Sequence, residues 1–439
     1  MTDISQHLPK ESLTVAAIFA HYKKVGDSEQ ARGYLGASII GHSCERYLWF
    51  TFRFCCKPEF SGRMYRLFDT GNLAEARFVK DLRAIGCTVH EADPDTGQQF
   101  AVSSLGGHFS GHMDGCALGV PEAPKTWHVT EYKTHSAKSF AKLKKEGVEK
   151  SKPQHYAQMQ AYLFLTGMTR ALYLAVNKDT EELHAERIRY DELYAECIME
   201  KAERIIKATT PPERISQRED WYECSYCDAH AICWGNQGVA LPIPAISCRQ
   251  CCHATPTMDG GAKWVCEKHQ RGLSPTDQSK ACEDHLTLPG LLSFAEVNSY
   301  DHDSKGNDYL EFVNSDGKKW QHGSADGAFS TVELATLPVS SLTNTSVRAA
   351  KGLFGATAAG YCADDILHRY PHEDSEIVWQ GRASQLTEAW RDIFGEDLTT
   401  LTPIAKCDAT EYRAAEYTGS RVAVFYPFTK EAEIIKGKE

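Results

Sequence analysis

Short runs of strand-forming residues, separated by turn-forming residues, recur along the first half of the chain. Three of them cover residues 98–103, 109–118 and 127–134, with Gly106-Gly107 and the prolines at 121 and 124 between them. Two more follow at residues 170–177 and 183–190. Runs of this length that are bounded by glycine and proline predict β-strands.

Apolar residues at helical spacing predict helices at residues 11–24, 66–82, 153–166 and 191–207. Gln158 and Tyr162 are four residues apart in the third of these segments, so they would share one face of its helix. Such a pair is typical of an ordinary amphipathic helix, but the same face could also contact a phosphate, a base or a catalytic lysine.

Charged residues stand at two points in the predicted strands. Glu131 and Lys133 would share one face of their strand, with Tyr132 on the other, and Asp114 would join that face from a paired strand. Carboxylate oxygens can hold Mg²⁺ or Mn²⁺ beside a phosphate, and a neighbouring lysine can orient the attacking water. A Glu-x-Lys string alone is more often a solvent-exposed pair. Glu75 is a candidate third carboxylate, although an exposed helix glutamate is the simpler interpretation.

The ordered set Glu75, Asp114, Glu131-x-Lys133 and Gln158-x-x-x-Tyr162 resembles the PD-(D/E)XK nucleases. The resemblance is to the RecB-like and lambda-exonuclease-like exonucleases, and it covers roughly residues 40 to 235. It implies an α/β core with a central mixed sheet flanked by helices. Many RecB-like members carry a histidine on the upstream helix, whereas Glu75 fits the lambda-type pattern.

The same resemblance implies roles for the matching residues. Asp114 and Glu131 would be metal ligands, together with the Tyr132 carbonyl, and Lys133 would orient water. The implied activity is a Mg²⁺- or Mn²⁺-dependent DNA exonuclease in phage or bacterial recombination, replication or repair. Two alternatives stay open: a nucleic-acid-binding or assembly factor without cleavage, and a restriction-type DNA endonuclease.

Sixteen cysteines are a large number for a chain whose first ten residues are polar and show no signal segment. Residues 14–20 are too short to span a membrane, so we expect a cytoplasmic protein that keeps its thiols reduced. Clustered cysteines then indicate metal binding rather than disulfides. Cys224, Cys227 and Cys233 form one such cluster, and Cys44 could supply a fourth thiolate. Cys55 and Cys56 are alternatives to Cys44 whose spacing fits less well.

This layout, with one cysteine before the nuclease core and three after it, resembles the iron–sulfur RecB-like exonucleases. The resemblance implies a structural [4Fe–4S] cluster on Cys44, Cys224, Cys227 and Cys233. Zinc in the same four thiolates is the alternative.

A second group of cysteines predicts a structural zinc site in a zinc-ribbon-like segment. Its favoured ligands are Cys248, Cys251, Cys266 and Cys282. The segment is short and poor in apolar runs, so it would need such a crosslink to fold. His253, His269 and His285 are alternative ligands or neighbours of the ligands.

Length and charge limit the remaining functions. A chain of 439 residues predicts two or three domains, and a formal net charge of −11 argues against nonspecific coating of nucleic acid. A DNA partner would therefore need local positive charge, which a run of lysines after the Glu131 strand could supply. These lysines, which would otherwise be an ordinary solvated segment, are Lys138, Lys142, Lys144, Lys145, Lys150 and Lys152.

The predicted organisation has four parts. A helical segment covers residues 1–40, the nuclease domain with its cysteine cluster 41–240, the zinc-binding segment 241–290 and an α+β accessory domain 291–439. The accessory domain shows no catalytic pattern. A recombination or replication partner protein and a homo-oligomer both stay open.

Overall fold

The computed structural model describes residues 12–29, 32–235, 238–344, 347–348, 351, 357–359, 375–395, 403–407, 412–418, 421–426 and 431–437. None of the helices in these ranges combines the length and the apolar character needed to cross a membrane.

Helices and strands alternate through the nuclease region and give way to strand-rich segments after it. The described helices are α1 (Leu13–Asp27), α2 (Glu45–Phe52), α3 (Gly62–Ala84), α4 (Ala137–Ser151), α5 (Pro153–Thr166), α6 (Glu192–Lys207), α7 (Tyr222–Ser225), α8 (His230–Trp234), α9 (Pro275–Gln278), α10 (Thr331–Thr336), α11 (Val339–Leu342) and α12 (Leu386–Phe394). The described strands are β1 (Leu35–Gly36), β2 (Thr88–His90), β3 (Ala101–Ser104), β4 (Phe109–His112), β5 (Gly115–Leu118), β6 (His128–His135), β7 (Arg170–Asn177), β8 (Leu183–Arg189), β9 (Ala254–Pro256), β10 (Trp264–Cys266), β11 (Arg271–Leu273), β12 (Ala295–His302), β13 (Asp308–Asn314), β14 (Lys319–Gly323), β15 (Thr357–Ala359), β16 (Ser375–Arg382), β17 (Pro403–Cys407), β18 (Tyr412–Thr418), β19 (Arg421–Tyr426) and β20 (Glu431–Gly437).

A five-stranded sheet in the order β2-β5-β6-β7-β8 forms the centre of the nuclease region. Its β6–β7 pair is parallel and its other pairs are antiparallel, which confirms the predicted mixed sheet. Helix α3 contributes to the apolar cluster on one face, and α4, α5 and α6 contribute to the cluster on the other. Because both faces are covered, β7 is apolar on both sides, which is typical of a fully buried strand.

The predicted strand at residues 109–118 is wrong as a single element. It divides into β4, which pairs with β1 and β3 in a small sheet, and β5, which joins the central sheet. Gly115 begins β5 with a φ of +148°, and a Cβ there would lie 2.4 Å from the His90 carbonyl oxygen. This close approach lets the chain leave one sheet and enter the other, with Met113 and Asp114 as the link.

The lysine-rich segment, which the sequence left open as a loop or a helix, forms α4. Ser136 caps its N-terminus by accepting a hydrogen bond from the Ser139 N–H. Gly147 interrupts the regular helix with a φ of +74°. The lysines are therefore spread around a helix instead of lying along one extended track.

The cysteine-rich segment packs directly against the nuclease region. Its three-stranded sheet, β9-β10-β11, sends Trp264 into the same apolar cluster as Trp49 and Phe52 of α2. The two regions approach each other so closely at Gly106 that a Cβ on this residue would lie 2.7 Å from the Met258 Cα. Residues on both sides of the proposed boundary at 240 thus share one core.

Two further sheets follow. The strands β12, β13 and β14 form two successive hairpins, with Gly306 and Gly317 at positive φ in the turns. A six-stranded sheet has the order β15-β17-β18-β19-β20-β16.

A buried histidine in β14 should make the protein sensitive to acid. His322 donates from Nδ1 to the Phe329 carbonyl at 2.7 Å, and its Nε2 accepts the Thr287 N–H at 2.8 Å, so only the neutral ring satisfies both bonds. Burial lowers the pKa of His322 from 6.5 to about 4. Because the unfolded chain then binds more protons between these values, stability falls as the pH drops through that window.

Urea unfolding at pH 7 and pH 5 measures this effect. We expect the wild type to lose about 2 kcal/mol more than His322→Gln, which cannot titrate in this range, between the two pH values. An equal loss in both proteins would contradict the assignment.

Candidate active site

Asp114 lies in the link between β4 and β5, at the edge of the central sheet. Its Oδ2 accepts a hydrogen bond from the Tyr132 N–H at 2.8 Å, which fixes the carboxylate beside β6. The register that pairs Gly115 with Thr130 brings the link alongside Glu131. The paired-strand placement predicted for Asp114 is thus close to the observed one, although Asp114 itself lies between strands.

Glu131 and Lys133 form a buried ion pair on β6. The Glu131 carboxylate is fully buried, and its Oε1 lies 2.5 Å from Lys133 Nζ. Burial, partly opposed by Lys133 and reinforced by Asp114, raises the pKa of Glu131 to about 7. Burial lowers the pKa of Lys133, but the charges of Glu131 and Asp114 outweigh it and hold that pKa above its ordinary value.

Glu75 completes a group of three carboxylates. It is half-buried on α3, and burial followed by repulsion from Asp114 raises the pKa of its carboxyl. Three acidic groups with one lysine leave the site with excess negative charge. Carboxylate oxygens are donors that suit Mg²⁺ or Mn²⁺, and a bound ion would relieve the mutual repulsion of the carboxylates. In the described residues the oxygens of Glu75, Asp114 and Glu131 do not all lie within 4.8 Å of one another.

Gln158 is hydrogen-bonded to Glu131, and Tyr162 is hydrogen-bonded to Gln158. Gln158 Nε2 donates to Glu131 Oε2 at 3.1 Å and to the Tyr162 hydroxyl at 3.0 Å. Tyr162 in turn donates to the His112 carbonyl at 2.8 Å. The two residues share one helix face, as predicted, and they connect α5 to Glu131 and to the end of β4.

The Tyr132 side chain points away from the charged groups, as the alternation along a strand requires. Its ring stacks on Phe78 of α3, with 5.3 Å between centroids. The Tyr132 carbonyl, which the resemblance implies as a metal ligand, accepts a hydrogen bond from Lys133 Nζ at 3.0 Å. Lys133 therefore contacts two of the atoms assigned to the metal.

The structure adds a polar network that sequence reasoning missed. The Tyr173 hydroxyl lies 2.8 Å from His135 Nε2 and 2.9 Å from His155 Nδ1. Burial lowers the pKa of His135 to about 4 and that of His155 to about 3, so both rings are neutral. The sequence contains two indications of this network. His135 follows Glu131 and Lys133 at a spacing that puts all three on one face of the strand, and His155 precedes Gln158 at a spacing that puts both on one face of the helix.

Several of the predicted phosphate-binding lysines have partners within the protein. Lys142 pairs with Glu146, and Lys144 pairs with Glu182, which directly precedes β8. Lys152 donates to the Ser139 hydroxyl at 2.5 Å. The positive charge beside the site is thus smaller than the lysine count implies.

The first cysteine group surrounds one cavity. Cys44 caps α2, where its Sγ accepts the Tyr47 N–H at 3.4 Å. Cys224, Cys227 and Cys233 come from α7, the turn after it and α8, and all four cysteines line the cavity. Cys55 and Cys56, the alternatives to Cys44, are not among the residues that line it.

The second cysteine group lies in and around the sheet β9-β10-β11. Repulsion from Cys282 and Cys266 adds to the effect of burial in raising the pKa of the Cys248 thiol to about 11, which places the three thiols near one another. Cys251 Sγ accepts the Leu286 N–H at 3.4 Å. Cys282 Sγ lies 3.7 Å from His269 Nε2, and these two residues with Asp284 form a compact group of donors within 4.8 Å.

The three histidines offered as alternative zinc ligands have different surroundings. His285 is buried and hydrogen-bonded to Thr331 and to the Ser247 carbonyl, so its ring nitrogens are both engaged. His253 lies 3.6 Å from Asp308. Of the three, His269 alone belongs to a compact group of donors in the described residues.

Comparison with known proteins identifies the central region. Residues 72–234 match the family model of the PD-(D/E)XK nuclease superfamily, a range that contains every residue of the acidic site. No curated protein is significantly similar in sequence to this chain.

Three solved structures are among those to which this chain is similar. SSO0001 is 14% identical with a TM-score of 0.30, over 51% of this chain and 96% of its own. An alkaline exonuclease from Laribacter hongkongensis is 14% identical with a TM-score of 0.28, over 42% and 90% of the two chains. The same exonuclease in complex with dAMP is 15% identical with a TM-score of 0.29, over 43% of this chain and 90% of its own.

Nucleases of this superfamily typically use divalent metal ions such as Mg²⁺, in agreement with the donors found at the site. Residues 72–234 of this chain are a domain of the PD-(D/E)XK nuclease superfamily.

Proposed function

We propose that the protein is a Mg²⁺- or Mn²⁺-dependent DNA exonuclease that acts in recombination, replication or repair. The observation that carries the proposal is the buried contact of Glu131 with both Lys133 and Gln158, next to Asp114 and Glu75. A pure binding protein has no evident use for a buried carboxylate paired with a lysine on the same strand, because burying these charges costs stability.

Asp114 and Glu131 would hold the divalent ion, with Glu75 as a third donor. A bound ion supplies Lewis acidity at the scissile phosphate and lowers the pKa of a coordinated water. Lys133 would then shift its hydrogen bond from Glu131 to the attacking water and offset the negative charge that develops on the phosphate. Gln158 and Tyr162 would keep the Glu131 carboxylate oriented throughout.

We further propose a structural [4Fe–4S] cluster on Cys44, Cys224, Cys227 and Cys233. Its support is the cavity that the four side chains share. The cluster would tie α2, which precedes the central sheet, to α7 and α8, which follow it. Zinc is the alternative for the same thiolates.

For the second group we propose structural zinc held by Cys248, Cys251, Cys266 and Cys282. His269 is the alternative fourth ligand, because it lies 3.7 Å from Cys282. The sheet β9-β10-β11 has few residues, and a crosslink of this kind would stabilise it.

Digestion of end-labelled linear DNA beside closed circular DNA, with Mg²⁺ or Mn²⁺, separates the candidate activities. We expect the wild type to degrade only linear DNA, and Asp114→Asn, which keeps the size and hydrogen bonding of the side chain, to degrade neither. Asp179→Asn, at an exposed position that caps α4, is the matched control and should retain full activity.

Cleavage of the circular form would instead identify an endonuclease. If neither DNA is cut with either metal, and the DNA is bound in EDTA, the binding factor replaces the exonuclease.

A further inference from the structure

Two arginines are buried without carboxylate partners where the cysteine-rich segment meets the nuclease region. Arg53 is 2% exposed and Arg249 is 1% exposed. The titratable groups that act on them in the described residues are the thiols of Cys55 and Cys252 for Arg53, and Arg53 for Arg249, not carboxylates. Burial lowers the pKa of Arg53 to about 10 and that of Arg249 to about 9, so both stay positive at neutral pH.

Arg249 is well satisfied by neutral groups. Its guanidinium donates to the Phe52 carbonyl at 2.9 Å, the Gly33 carbonyl at 2.7 Å and Gln278 Oε1 at 2.7 Å. It also lies 4.4 Å from the centroid of the Trp264 ring. These bonds and the ring face hold the group in place but do not neutralise its charge.

Arg53 is less well satisfied. Its hydrogen bonds to the carbonyls of Ala208, Arg249 and Ala254 are 3.2, 3.3 and 3.4 Å long, and its Nε is buried without a hydrogen-bond partner. Its guanidinium carbon also lies 4.9 Å from the centroid of the Trp264 ring and 5.6 Å from that of the Trp49 ring. These ring faces offset part of the cost of burying the cation, but they leave its charge without a counter-ion.

Arg53 lines a cavity of about 460 Å³ between the end of α6 and the strand β9. The other charged residue in its lining is Lys207, and the lining contains no carboxylate among the described residues. Glu203, the ion-pair partner of Lys207, is outside the lining. Thr209, Thr210 and Thr255 add hydroxyl groups, and Met258 adds apolar surface.

The charges and volume of this cavity indicate which chemical class of ligand it would bind. A metal cation would be repelled by Arg53 and Lys207, and an apolar ligand would leave the buried guanidinium uncompensated. An arginine, a lysine and threonine hydroxyls are the donors that proteins use for phosphate groups. The volume lies in the range of small-molecule sites, and its apolar wall suits a sugar or base attached to the phosphate.

We propose that this cavity is a binding site for the phosphate group of a nucleotide or of a nucleic-acid strand, with Arg53 and Lys207 as its cationic groups. The site is separate from the carboxylates around Glu131. It does not depend on the proposed nuclease activity, because binding can be measured when no divalent metal is present.

Calorimetric titration of the full chain in EDTA tests the site with three probes: inorganic phosphate, a deoxynucleoside 5′-monophosphate and a short single-stranded oligonucleotide. Thr210→Glu puts a negative charge into the cavity at an exposed position, so we expect affinity to fall about tenfold or more. Thr210→Gln, which has the same size without the charge, should bind as the wild type does.

A second pair of variants tests the cation. Lys207→Gln should weaken binding several-fold, whereas Lys23→Gln should not change it. Lys23 is the matched control because it forms the same kind of ion pair, one helical turn apart, with Asp27 on α1.

A competition experiment between the mononucleotide and the oligonucleotide shows which kind of molecule supplies the bound phosphate group. Displacement of the mononucleotide by the oligonucleotide would identify a nucleic-acid strand as the ligand, and mononucleotide binding without displacement would identify a free nucleotide. Absence of binding by all three probes at millimolar concentration, or equal affinity in Thr210→Glu and Thr210→Gln, would overturn the proposal.

Discussion

Replacement of Lys133 by methionine is expected to lower the rate of DNA cleavage about 10³-fold while DNA binding in EDTA changes little. Methionine keeps the length and packing of the side chain but removes the cation that contacts Glu131 at 2.5 Å and the Tyr132 carbonyl at 3.0 Å. A group that acts on charge developed in the transition state affects turnover far more than ground-state binding.

The measurement is single-turnover digestion of linear DNA at saturating Mg²⁺. Lys178→Met is the matched control, because Lys178 is an exposed lysine just after β7 and should tolerate the change. A cleavage rate within threefold of the wild type in Lys133→Met would exclude Lys133 from the chemistry. Thermal unfolding of both variants checks that a lost rate does not reflect a lost fold.

Replacement of Cys44 by serine is expected to remove the proposed iron–sulfur cluster and to lower the melting temperature by roughly 10 °C. The loss would be large because the cluster links segments about 180 residues apart in sequence, from Cys44 to Cys224, so that metal binding contributes directly to folding. Cys197→Ser is the matched control, since Cys197 is exposed on α6 and lies away from the cavity.

Metal analysis and the visible absorbance of protein purified without oxygen measure the result. Iron should fall to background in Cys44→Ser and stay unchanged in Cys197→Ser. Zinc with no iron in the wild type would refute the cluster in favour of zinc. Cys248→Ser in the second group should lower zinc and leave iron unchanged, which separates the two sites.

Elements that are buried on both sides were the easiest to predict from sequence. The strand at residues 170–177 and the helix at residues 153–166 match β7 and α5 at both ends, because their apolar patterns have no competing interpretation. Segments with glycine at critical points were harder. The run at residues 109–118 has continuous strand character, and its division appears only in the folded chain, where β4 and β5 pair in different sheets and Gly115 approaches His90.

The candidate site divides in the same way. The pairing of Glu131 with Lys133 and the shared face of Gln158 and Tyr162 follow from strand and helix periodicity alone. The bridge from Tyr173 to two histidines does not, since it joins residues on three elements that meet only in the folded chain. The burial of Arg53 and Arg249 does not follow from periodicity either, because in sequence both look like ordinary surface arginines.

The two-residue link between β4 and β5 carries a consequence for how this sequence can vary. Strands β4 and β5 are fixed by pairing in different sheets, so neither can slide to absorb an added or lost residue. An insertion or deletion at Met113 would therefore turn the Asp114 side chain to the other face or pull it from the Tyr132 N–H. Chain length at this point is under stricter constraint than residue type, and surviving insertions should fall in the loop between β5 and β6 instead.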